Sequence, residues 1–201
     1  MVEDRRVRKT KNAIKQAFIK LLAEKELERI TIQDITTLAD INRGTFYLHY
    51  EDKYLLLSDL EDEILAGLAD ETGTYKLVLQ DSNLEDFAKI FSEKILKNII
   101  LHIQKDIDFY LVIFKLDRKS HLEDKISELM YANMAENISN KQNISGIPLD
   151  YFHSYVSGAT ISFIKHWVQD KNRMEPDIVA DYLFKMIFNG PLRLLAKEQY
   201  Q

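Results

Sequence analysis

The sequence contains no cysteine, and only three prolines and six glycines among its 201 residues. Without thiols there is no disulfide and no thiolate zinc site. So few turn-forming residues leave little room for the many reversals of a β-sandwich or barrel, and an all-α chain is expected. No apolar run reaches the roughly 20 residues needed to span a bilayer. The N-terminus, MVEDRRVRKTKNAIKQAF, lacks the hydrophobic segment and small-residue cleavage site of a signal peptide. A cytoplasmic protein with no membrane partner is therefore expected.

Catalytic signatures are missing as well. There is no glycine-rich phosphate loop, no GxSxG and no cysteine nucleophile. The histidines His49, His102, His121, His153 and His166 form neither an i, i+4 pair nor an HExxH. Neither enzyme activity nor a metal nor a cofactor is expected. The acidic run Glu61-Asp62-Glu63 lies in a leucine-rich amphipathic stretch, where a solvated face accounts for it.

What is present is an uneven distribution of charge. The net charge is −5, yet residues 1–50 carry 10 Lys+Arg against 7 Asp+Glu, while residues 51–201 carry 17 against 25. A basic end on an acidic body suits a protein that meets a polyanion at one end.

Apolar periodicity divides the chain into helices. Ile14, Ala17, Phe18, Leu21 and Leu22 form one stripe of a first helix expected over about 7–25. Two short pieces follow: TIQDITTLAD, with Thr31 as N-cap and Ile32, Ile35, Leu38 and Ala39 facing inward, then INRGTFYLHY. A fourth helix opens at Glu51 or Asp52 and runs to about 69. After the polar break at 70–83, Leu84, Phe87, Ile90, Phe91, Ile95, Ile99 and Ile103 line one face of a long helix. The segment SNKQNISGIPLD reads as a loop, punctuated by Gly146 and Pro148. Two strong helices close the chain, the second started by Pro176. About nine helices are expected.

The two short helices and the turn between them, LADIN, describe a helix-turn-helix. Asp40 sits where the backbone must turn sharply and is among the few non-glycine residue types that tolerate left-handed geometry. Asn42 is placed to cap the next helix. The stretch TIQDITTLADINRGTFYLHYEDKYLLL resembles the DNA-binding domain of TetR-type bacterial transcriptional regulators, with Thr31, Ile35, Ala39, Ile41, Gly44, Thr45, Phe46, Tyr47, Tyr50, Lys53 and Leu55 in register. Thr36, Asp40 and Asn42 depart from the family's alanine, glycine and serine.

The resemblance implies a helix-turn-helix DNA-binding domain over 1–52 and a helical ligand-binding and dimerisation domain over 53–201, with 53–69 as the connecting helix. A helix that enters the major groove by its N-terminal end makes Arg43 the reader of base edges, assisted by Asn42 and Thr45. Gly44 lets the backbone approach the DNA. Tyr47, His49 and Lys53 match positions where the family holds phosphate oxygens, and Thr31 is expected to offer a phosphate its hydroxyl and N–H. Arg5 and Arg6, with Arg8 and Lys9, are expected to form an arm on the backbone or minor groove. Phe46 and Tyr50 are expected in the core.

The remainder is rich in aromatics. Phe87, Phe91, Phe109, Phe114, Tyr131, Tyr155, Phe163 and Trp167 are expected either to fill a helical bundle or to line an apolar effector pocket. The last two long helices resemble the dimerising pair of a low-GC Gram-positive branch of the family, with Gly158, Ala159 and Ser162 admitting close approach. The function this implies is a homodimeric repressor that leaves a palindromic double-stranded operator when a small apolar effector binds. The alternative is a relative that acts as a co-activator through protein contacts.

Overall fold

A computed structural model describes residues 5–72, 83–116, 120–137 and 143–199. They form two packed units: the described residues within Met1–Ile64 and Asp108–His121, and those within Leu65–Ile107 and Leu122–Gln201.

The first unit begins with α1 (Arg5–Glu24), whose buried residues are those of the expected stripe. A single 3₁₀ turn (Leu27–Arg29) leads to α2 (Ile32–Leu38) and α3 (Arg43–Tyr47), and α4 (Lys53–Thr72) starts in this unit. Asp52 caps α4 by accepting the N–H groups of Tyr54 and Leu55, each at 2.8 Å. The core holds Phe18, Leu27, Ile30, Ile35, Phe46 and Leu56, with Tyr50 at its edge. Leu38, expected to face inward, is 49% exposed at the last position of α2, while Ile35 and Thr36 in the same turn are buried.

Side-chain bonds explain why the first half of α4 packs here, beyond the expected boundary at residue 52. Lys15 bridges Asp59 at 3.0 Å and also reaches Glu63, and the Tyr50 hydroxyl donates to Asp59 at 2.9 Å. Burial disfavours both charges, but the bonds to Glu63 and Asp59 outweigh it and raise the pKa of Lys15. Burial is likewise the largest influence on Asp59, and the bonds from Lys15 and Tyr50 together overcome it and lower that pKa. Glu61 is a correction to the sequence reading: it is 2% exposed, not solvated. Its carboxylate accepts the Ser120 hydroxyl at 2.8 Å and the His121 N–H at 3.1 Å. Phe109, Tyr110 and Phe114, on and just after α7 (Ile107–Ile113), complete this unit's aromatic core.

The second unit contains α5 (Leu84–Ile90), a π-helical segment (Phe91–Leu96) and α6 (Lys97–Lys105) in one unbroken run. The π segment inserts a residue into the 3.6 repeat, so Leu96 and Ile100 join Ile95 and Ile103 in the core while Ile99 is half-buried. Next come α8 (Leu122–Asn137), a two-stranded hairpin of β1 (Asn143–Ile144) and β2 (Ile147–Pro148), α9 (Leu149–Gln169), α10 (Pro176–Asn189) and α11 (Pro191–Gln199). The hairpin corrects the loop expected there: Ser145 and Gly146 both have positive φ, 53° and 83°, as a two-residue primed turn requires. Residues 139–142 of that loop, and 73–82 of the break after α4, lie outside the described residues.

Gly190, at φ 72°, ends α10, and Pro191 starts α11. His102 of α6 lies over Gly67 of α4, so closely that a Cβ on Gly67 would sit 2.3 Å from the ring Cε1. Trp167 is buried and donates its indole N–H to the Met174 carbonyl at 2.9 Å, closing the turn between α9 and α10. No helix among the described residues is long and apolar enough to cross a membrane. Nor does any group of His, Asp or Glu among them gather to hold a metal ion.

Candidate nucleic-acid interface

The turn between α2 and α3 is built as its sequence requires. Asp40 adopts φ 53°, and the N–H of Ile41 returns to the Thr36 carbonyl at 3.0 Å. Thr36 is buried where the family has alanine, and its hydroxyl is satisfied by the Gln33 carbonyl at 3.2 Å. Asn42 occupies the N-cap of α3 in extended geometry, without a side-chain capping bond. Asn42 and Gly44 are exposed and Thr45 half-buried, while Phe46, one residue on, is fully buried and anchors the helix.

Arg43 and Tyr47, one turn apart on α3, are both exposed and joined to each other. The guanidinium donates to the Tyr47 hydroxyl at 3.0 Å, and its carbon lies 5.6 Å from the ring centroid. This contact orders a long cation on the surface before any ligand arrives, which lowers the entropy lost when it binds. His49 is half-buried beside Tyr50, its ring 6.5 Å from the tyrosine ring. Leu48, which sequence reasoning passed over, is 81% exposed next to Tyr47. An aliphatic residue amid polar ones gave no signal in the sequence, yet its methyl groups suit a thymine methyl.

Three expected contacts are arranged differently. Thr31 is the N-cap of α2, but its N–H and hydroxyl both donate to Asp34 at 2.8 Å, in a capping box rather than toward a phosphate. Lys53 donates to the carbonyls of Leu27, Glu28 and Ile30 at 2.8, 2.9 and 2.8 Å. Arg5 and Arg6 are exposed, but they belong to the first turn of α1 and form no extended arm. The basic side chains there line a helix end.

The eight aromatics expected to fill a bundle or to line an effector pocket are divided between the two units. Phe109 and Phe114 belong to the core of the first unit. In the second, Phe87 and Phe91 stack with Phe188, with centroids 5.8–6.1 Å apart, and Phe184 lies 4.4 Å from Phe188. Tyr131 stands edge-on to His153, Tyr155 is 65% exposed, Phe163 is half-buried, and Trp167 is held by its own hydrogen bond. Composition placed these residues in a helical body; it carried no information on which of them meet.

Residues 92–189 match the family model TetR_C_8, described as a transcriptional regulator C-terminal region. Over 178 residues, 88% of the chain, the sequence is 28% identical to YxbF of Bacillus subtilis, an uncharacterized HTH-type transcriptional regulator, and it spans 44% of that relative's length. A TetR transcriptional regulator from Streptococcus agalactiae, solved by crystallography, superimposes with a TM-score of 0.62 at 26% identity, over 93% of this chain and 98% of that one. FadR of Thermus thermophilus, a TetR-family repressor solved with lauroyl-CoA, shares the fold at a TM-score of 0.52 and 17% identity, over 90% and 94% of the two chains. These relatives are transcriptional regulators, not enzymes. With a helix-turn-helix built from residues 32–47 and a C-terminal match over 92–189, the chain is similar along its length to TetR-type transcriptional regulators.

Proposed function

We propose that the protein is a homodimeric regulator that binds double-stranded operator DNA through α3 and leaves it when an apolar effector binds. The observation that carries this reading is the Arg43–Tyr47 pair: an ordered cation and a phenol presented on a short helix whose opposite face, Phe46, is buried. Arg43 reads guanine, Asn42 and Thr45 assist at base edges, Gly44 admits close approach, and Tyr47 and His49 hold phosphates. The protein works in the cytoplasm, where its operator is.

The dimer is supported by an uncovered face. Tyr151, Tyr155, Gly158, Ala159 and Ser162 fall on one side of α9, and all are exposed, as are Ile178, Tyr182 and Met186 on α10. Self-association through a two-fold would cover them and would set two heads about 34–36 Å apart, the spacing of successive major grooves. An apolar effector is supported by the half-buried phenylalanine cluster of Phe87, Phe91, Phe184 and Phe188, and by the lauroyl-CoA carried by the Thermus repressor of the same fold.

Gel shift with the duplex upstream of the protein's own gene tests the reading. Specific, salt-sensitive binding is expected, and Arg43→Ala should lower preference for that duplex by about 1–3 kcal/mol relative to unrelated DNA. Equal loss on both duplexes would remove Arg43 as the reader. Wild-type protein that binds no DNA would favour a co-activator acting through protein contacts.

A further inference from the structure

Lys53 opens α4, and its ammonium group has three N–H donors. Each meets a backbone carbonyl at 2.8–2.9 Å, from Leu27, Glu28 and Ile30. These carbonyls lie 23 to 26 residues away in sequence, along the 3₁₀ turn and just past it, and the Leu27 carbonyl also accepts the Ile30 N–H at 3.2 Å. A phosphate could engage the lysine only if one of these charge-assisted bonds broke. The half-buried position of Lys53 weighs the same way, since the Glu28 or Ile30 carbonyl, if left behind there, would have to find another donor.

The gripped segment is the launch point of the DNA-reading pair. Ile30 is fully buried and immediately precedes Thr31, the N-cap of α2; α2 in turn packs against α3. Moving the start of α4 therefore pulls on the start of α2. From this geometry, and resting on the DNA-binding reading above, we infer that Lys53 is a positioning residue: it fixes the stance of α2 and α3 through backbone carbonyls and makes no contact with DNA.

The tetrahedral ammonium suits three converging carbonyls, whereas the planar fork of arginine does not. Arginine would, however, serve a phosphate at least as well. Lys53→Met and Lys53→Arg in the full chain therefore separate the roles, with a duplex selected by the wild-type protein from a random-sequence pool and an unrelated duplex of equal length as probes. Both variants are expected to lower the melting temperature without DNA. They should also cut affinity for the selected duplex about tenfold while sparing the unrelated one, because base contacts need exact register and phosphate contacts do not. The slope of log affinity against log salt should stay at the wild-type value. Three results would overturn the role. A slope shallower by about 0.9 in Lys53→Met, with Lys53→Arg normal, marks a phosphate contact. A lowered melting temperature with an unchanged ratio between the two duplexes marks a purely structural tie. Wild-type protein that selects no duplex removes the DNA-binding reading itself, and the positioning role with it. Should Lys53→Met fail to fold, Lys53→Arg supplies the same readouts.

Discussion

Asp34 accepts both the backbone N–H and the hydroxyl of Thr31, each at 2.8 Å, and returns its own N–H to the threonine oxygen at 3.1 Å. Lys25 adds an ion pair at 2.9 Å. The Thr31 backbone bond, then Lys25 and the Thr31 hydroxyl, lower the carboxyl pKa from the ordinary 3.8 to about 2. Because folding depresses this pKa, the stabilisation is complete above the ordinary value and disappears as pH falls through about 2. Asp34→Asn should melt at a lower temperature than wild type at neutral pH, with the difference shrinking as pH drops from about 5 to about 2. A gap between the two melting curves that is constant with pH would rule out the linkage.

Glu61 concerns a different part of the same unit. Its buried carboxylate is the acceptor for the Ser120 hydroxyl and the His121 N–H. Glu61→Ala leaves both donors without it and should cost about 1.5–3 kcal/mol in urea unfolding. Glu61→Gln keeps a carbonyl oxygen and should cost less. A loss below about 0.5 kcal/mol for the alanine variant would show that water replaces the carboxylate.

In the second unit, the contact between Gly67 and His102 reverses the usual sign of a helix substitution. Replacing glycine by alanine inside a helix ordinarily stabilises by about 0.5–1 kcal/mol, but here the new methyl would meet the imidazole at 2.3 Å. Gly67→Ala should destabilise wild type and stabilise a His102→Ala background. Calorimetry on the four proteins of this cycle measures the coupling; additive effects would mean the ring swings away freely.

Gly158 tests the proposed dimer. It is exposed on α9, and a Cβ there meets nothing within 4 Å. Gly158→Arg should leave the chain helical by circular dichroism while sedimentation shifts from dimer to monomer, since a two-fold contact would oppose two arginines. A dimer that survives the change meets through another face.

Local chemistry was legible in the sequence and distant chemistry was not. Thr31 as a cap, Asp40 in the left-handed region and Phe46 in the core all follow from neighbours within a few residues, and the structure places them so. The backbone partners of Lys53 and the acceptor role of Glu61 were not legible, because the groups they meet lie 23 to 26 and 59 to 60 residues away. No periodicity encodes such pairings. The aromatics of the second half illustrate a related point: aromatic content predicts a packed interior but not its division, with Phe109 and Phe114 in one unit and Phe87 and Phe91 in the other.

The π-helical segment between α5 and α6 makes the second unit unevenly sensitive to changes in chain length. Across most of a helix, deleting one residue turns everything beyond it by about 100° and carries its apolar side away from the interior. Between Phe91 and Leu96 the chain already holds one residue more than α-helical winding needs. A single deletion there would relax the bulge into ordinary winding, leaving Phe87 before it and Ile100 and Ile103 after it in their present phase. At this one stretch of the rod, a codon can be lost without rotating the face that Ile100 and Ile103 present.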